Sequence, residues 1–214
     1  MSQDAYFQTR FAVDARRELL WKTLCEAHFS KLVAPTHCVL ELGAGYGAFI
    51  NNVAARRRIA VDAWPGFLEC LDPGVEGHVG DVTDLAFLQP ASVDFAFASN
   101  LFEHVTQDQF ASVLAQLRTA LSAGGTLNVL QPNYRYAFRE YFDDYTHRTV
   151  YSHVSLCDFL EAHGFEIVEC APRFLPLTIK SRLPVSAGLI RLYLALPVKP
   201  MGKQMLVRAR VRRS

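Results

Sequence analysis

The chain of 214 residues carries 22 basic and 21 acidic side chains, a formal net charge of +1, and half of its residues are hydrophobic. That length holds one well-buried core and is short for two, and the hydrophobic content with a mean hydropathy of +0.09 excludes a disordered chain. No apolar run approaches the roughly 20 residues of a spanning helix, and the opening MSQDAYFQTRF holds acid and amide groups instead of a basic leader, so one cytoplasmic domain over 1–214 is expected.

In chain order, an amphipathic helix is predicted over Val13–Phe29, with Ala15, Leu19, Leu20, Leu24 and Ala27 on one side, inside an N-terminal segment 1–35. His37–Leu42 reads as a buried strand. The turn Gly43-Ala44-Gly45-Tyr46-Gly47 follows, and Ala48–Ala55 has the composition of a helix. Further strands are predicted at Arg58–Asp62, Gly77–Val79, Val93–Ala98 and Thr126–Leu130. Thr106 and Gln109 form a capping box for a helix that presents Phe110, Val113, Leu114, Leu117 and Leu121 on one stripe. Ser155 and Asp158 suggest a second box for a helix ending at Gly164. FEIVEC and QMLVRARV read as two closing strands that pair as an antiparallel hairpin. Strands alternating with helices imply an α/β fold: a Rossmann-like, mostly parallel seven-stranded sheet with helices on both faces.

The glycine turn admits more than one ligand. A Walker loop would need Gly-Lys-Ser/Thr, whereas Gly47 is followed by Ala48, Phe49 and Ile50. Gly43, Gly45 and Ala48 do satisfy the dinucleotide form G-x-G-x-x-G/A, with Asp62 downstream, so a nicotinamide-dependent oxidoreductase stays open. Cys25, Cys38, Cys70, Cys157 and Cys170 are scattered without a C-x-x-C pair, and the seven histidines are dispersed, so buried thiols and no metal site are expected.

Ligands of such sheets sit at the carboxyl ends of the strands. The residues there are Glu41 with the glycines, then Asp62, then Gly80 and Asp81, then Ser99, Asn100, Glu103 and His104. The set, with ELGAGYG, LSAGGTLNVLQPN, HGFEIVE and SNLFEHV, resembles the class I S-adenosylmethionine-dependent methyltransferases over roughly residues 36–170. The resemblance implies S-adenosylmethionine as cofactor. Gly43, Ala44, Gly45 and Gly47 would then pass beside its methionyl part, and Glu41 would fix the turn or orient the ammonium group. Asp62, with Ala63, would accept from the ribose hydroxyls; Asp81, with Val82, would face the adenine amino group; Ser99 and Asn100 would stand where cofactor and acceptor meet. The plainer reading makes Asp62 and Asp81 cap and turn residues.

Polar and aromatic residues crowd 131–153, which is expected to be the lid over the acceptor. An acceptor hydroxyl needs a base, and His104, His147 and Asp144 are the candidates. A small molecule or glycan, including a lipid-linked sugar, is the expected acceptor, methylated at oxygen. Ten basic residues and no acid lie after residue 170, leaving that tail at +10 and the preceding part at −9. Within it, 172–203 encloses an apolar helix predicted between Pro184 and Pro197. This segment suits peripheral contact with an anionic membrane, or covers the sheet, or forms a homodimer contact. Nucleic acid is not the expected partner, because SNLFEH stands where N/D-P-P-Y/F would.

Overall fold

A computed structural model describes residues 15–177 and 186–213. Five strands run parallel: β1 (Cys38–Leu42), β2 (Arg57–Asp62), β3 (Val75–Val79), β4 (Val93–Ser99) and β5 (Leu121–Pro132). Beyond them β6 (Phe165–Pro176) and β7 (Gly202–Val211) close the sheet as an antiparallel pair, in the order β3-β2-β1-β4-β5-β7-β6. This is the expected seven-stranded, mostly parallel α/β sheet with a C-terminal hairpin. The central strands are apolar without alternation, every residue of β1 being buried, as a sheet covered on both faces requires. The chain winds outward from β1 to β3, then returns to β4 on the other side. The reversal sets the carboxyl ends of β1 and β4 side by side, the place where ligands of such sheets sit.

The helices are α1 (Ala15–Ala27), α2 (Gln107–Ala120), the single turn α3 (Tyr134–Ala137), α4 (His153–Ala162) and α5 (Ala187–Ala195). On one face α2 and α4 cover Leu40, Leu42, Val129 and Val207 with Phe110, Leu114, Leu117 and Leu156. On the other, Leu24 and Phe29 pack with Phe49, Phe95 and Phe97, the Phe29 ring lying 5.1 Å from both Phe49 and Phe97. The Thr106–Gln109 capping box forms as expected, each side chain bonded to the other's amide. The α5 helix falls inside the Pro184–Pro197 interval predicted for it, and Gly164 ends α4 at φ +85.

Four local expectations are corrected. Ala48–Ala55 is not a helix but a series of turns from Gly45 to Asn52. Side chains take the backbone groups a helix would pair internally: Glu41 accepts the Ile50 amide, and Arg58 donates to the Ile50 and Asn51 carbonyls. Between β2 and β3 only a 3₁₀ segment, Pro65–Cys70, is present. The cap of α4 lies three residues before the expected Ser155–Asp158 box, where Ser152 and Ser155 bond each other's amides, so that α4 starts at His153. In α1 the buried residues are Thr23, Leu24 and Cys25 in succession, and Ala15 is exposed. Trp21 of the helix lies edge-on to both Phe49 and Phe97. The predicted residues 13 and 14 of that helix lie outside the described residues.

Candidate active site

Gly43, Gly45 and Gly47 all hold positive φ, at 68°, 51° and 67°. That backbone suits glycine, and a Cβ on Gly43 would stand 3.0 Å from Leu101 Cδ1. The turn is therefore pressed against the loop that follows β4. Glu41 lies beneath it, 3% exposed, with Oε2 3.0 Å from the Ile50 amide nitrogen. Of the two roles expected of Glu41, this geometry serves the fixing of the turn. Burial, with the Asp62 charge adding to it, holds its carboxyl well above the usual carboxylate range. Ala44, 6% exposed, packs into the phenylalanine cluster.

Asp62 ends β2 and grips the same turn. Its Oδ2 accepts from the Gly45 amide and its Oδ1 from the Trp64 amide, both at 2.8 Å. Burial raises its pKa, against the pull of the Trp64 and Gly45 amides. The plainer cap reading thus holds in part, but each carboxylate oxygen keeps a second lone pair for a further donor. Ala63 beside it is exposed. Asp81 is exposed and makes a turn with Thr83, whose amide and hydroxyl both donate to Oδ1 at 2.8 Å, while Val82 is buried. A hollow of about 400 Å³ beside Val61, His78, Gly80, Asp81 and Phe87 lies toward the β3 edge and touches the strand-end set at Gly80 and Asp81.

After β4 the chain turns sharply at Asn100, φ 50°, whose amide bonds the Leu130 carbonyl and whose side chain donates to Ser99. The next residues are tied to the connection after β5. The amides of Arg148 and Thr149 donate to the Glu103 carbonyl, the Thr149 hydroxyl to the Val105 carbonyl, and the Tyr141 hydroxyl to the Thr149 carbonyl. His104 and His147, distant in sequence, meet with ring centroids 4.8 Å apart. Thr146 Oγ1 lies 2.6 Å from Asp144 Oδ1 and 2.9 Å from His104 Nδ1. The Thr146 hydroxyl donates to Asp144, so toward His104 it accepts, from Nδ1–H. That assigns the lone pair of the imidazole to Nε2. Burial, reinforced by His147, pulls the His104 pKa down to about 4. The structure thereby gathers His104, His147 and Asp144, the three candidate proton acceptors, at one place.

Sequence reasoning placed Glu103 among the strand-end residues but gave it no role. Its side chain is 0% exposed and neither carboxylate oxygen has a hydrogen-bond partner. Its pKa is pushed up to about 8 by burial, with Asp144 adding to the effect. Gln131 and the Tyr151 hydroxyl are also buried without partners, at the end of β5 and just before α4. The acid between Phe102 and His104 was the one signal of this in the sequence. In 131–153, Tyr141 is buried, whereas Phe138 and Phe142 face solvent, so only part of the aromatic set packs beneath the connection.

Residues 40–129 match a protein family described as a methyltransferase domain. No curated protein matches the chain in sequence. Among solved structures, a SAM-dependent methyltransferase from Archaeoglobus fulgidus aligns with a TM-score of 0.70 at 19% identity, over 97% of this chain and 99% of that one. A chain from the complex of the Haloferax volcanii Trm112 methyltransferase activator with a methyltransferase gives 0.70 at 17%, over 99% and 96%. Geranyl diphosphate C-methyltransferase from Streptomyces coelicolor A3(2), solved with S-adenosyl-L-homocysteine, gives 0.59 at 13%, over 86% and 78%. Residues 40–129 thus carry the signature of a methyltransferase domain, and the whole chain has the fold of S-adenosylmethionine-dependent methyltransferases, which supports that reading of the chain and S-adenosylmethionine as its cofactor. The nicotinamide reading of the glycine turn is set aside.

Proposed function

We propose that this enzyme methylates an oxygen of a small hydroxylated molecule or a glycan. The cofactor fits the residues present: the bare backbone of Gly43–Gly47 faces the methionyl part, Asp62 keeps acceptor capacity for ribose hydroxyls, and Asp81, with Val82, stands at the adenine end. Bound S-adenosylmethionine supplies an electrophilic methyl carbon on a sulfonium. The chain's own residues hold the acceptor in line with that carbon and exclude water. Ser99 and Asn100 stand between the two ligands, and 131–153 covers the acceptor. The single observation that carries the oxygen reading is the Asp144–Thr146–His104 chain, which presents a neutral imidazole with its lone pair on Nε2. A hydroxyl acceptor must lose a proton as its oxygen attacks, and this is the side of the site that takes it.

A lipid-linked sugar is the acceptor class that also accounts for α5. Leu192, Val198 and Met201 around it are 60%, 73% and 69% exposed, which suits peripheral contact with an anionic membrane surface. Incubation with labelled S-adenosylmethionine and a cell extract, followed by identification of the labelled product, tests the reading. A methyl ether is expected; label on nitrogen or carbon contradicts it. In the His104→Ala variant turnover should fall roughly 100-fold with cofactor affinity intact.

A further inference from the structure

Glu103, His104 and His147 place one carboxylate oxygen and two imidazole nitrogens within 4.8 Å of one another. Two of the three come from the loop after β4 and one from the connection after β5, so only the fold brings them together. We propose that these three side chains bind a divalent first-row transition ion. One carboxylate and two imidazoles make a borderline donor set that suits zinc, iron or cobalt and not magnesium or calcium. Around a tetrahedral zinc, neighbouring donor atoms stand about 3.4 Å apart, so closure asks for an approach of at most about 1.4 Å.

The independent observation is the carboxylate itself. Glu103 is wholly buried and both its oxygens lack a hydrogen-bond partner. An ionisable group left thus is costly unless something completes it, and a cation does so directly. The ring of His104 is held in place from one side. Its Nδ1–H is held by Thr146, which is anchored on Asp144, and the opposite nitrogen carries the lone pair. A hydrogen bond from the second ring nitrogen to a carboxylate or hydroxyl is the usual support for a metal-bound histidine.

Binding of the ion does not depend on the acceptor reading; its consequence does. With an ion bound, His104 is a ligand and a coordinated hydroxyl releases its proton to solvent at a lowered pKa; without ion, His104 takes that proton. The test uses the full-length protein stripped with a chelator, then titrated with Zn²⁺ by calorimetry and with Co²⁺ by visible absorption. One equivalent of each is expected, with d–d bands of cobalt in an N/O site, and affinity about 100-fold weaker in both His147→Ala and Glu103→Gln. Glutamine replaces a buried, unpartnered carboxyl with a group of the same shape, so without ion Glu103→Gln should melt no lower than the parent while losing ion-induced stabilisation. Zn²⁺ bound no more tightly by the parent than by a His104→Ala/His147→Ala protein overturns the proposal. S-adenosylhomocysteine binding, measured on the same samples, reports separately on the methyltransferase site.

Discussion

Glu41 shows how one buried carboxyl shapes a glycine turn. It takes the Ile50 amide and so ties the turn back onto β1, while its own burial raises its pKa well above the ordinary 4.5. A carboxyl whose folded value is raised binds more protons in the folded than in the unfolded chain. Its contribution to stability is therefore fully present below about pH 4.5 and drains away as pH rises toward the folded value. Glutamine keeps an acceptor for Ile50 and cannot ionise. Urea midpoints of Glu41→Gln should thus rise relative to the parent as pH goes from 4.5 to about 8. A difference that stays constant over that range would contradict the assignment of a protonated Glu41. The sequence announced Glu41 through its place before the glycines, because an acid at a strand end must satisfy nearby amides. It did not announce that Glu103 would be sealed, since burial there depends on a connection that arrives some forty residues later.

At the scale of elements, α5 is the least absorbed by the fold. Ile190 is buried, and Tyr193 and Leu194 pack against the core, but Leu189 and Leu192 face outward. The cations expected to meet lipid have protein partners: Arg191 pairs with Glu26, Lys199 bonds the Leu194 and Leu196 carbonyls, Lys203 pairs with Glu140, and Arg173 lies over the Tyr136 ring. Lys180 and Arg182 lie outside the described residues. The proposed membrane contact would then rest more on insertion of apolar side chains than on charge, so Leu192→Ser with Val198→Ser should abolish sedimentation with anionic vesicles. Equal recovery in the supernatant with anionic and neutral vesicles contradicts the membrane role, and a concentration-dependent doubling of mass assigns the face to a second copy. The period of the apolar residues made α2 and α5 legible. The missing helix after β1 was not, because Arg58 and Glu41 compete for its backbone from neighbouring strands.

For the whole molecule, the strand order brings the two informative loops together. The turns after β1 and β4 become neighbours only because the chain reverses direction between them, which brings Gly43 against Leu101. The alternation of apolar runs and turns was enough to foresee that sheet, since buried parallel strands leave a strong signal. The pairing of the two histidines leaves none, as side-chain meetings across a lid follow from tertiary packing alone. Among the described residues no helix is long and apolar enough to cross a membrane. The central claim is that the glycine turn and Asp62 hold S-adenosylmethionine. Calorimetry with S-adenosylhomocysteine tests it most directly: one site is expected, with no heat from NAD under the same conditions. In Asp62→Ala binding should weaken by roughly 1 to 3 kcal/mol, as ribose hydroxyls lose a charged acceptor. Unchanged affinity in a folded Asp62→Ala protein would contradict the account.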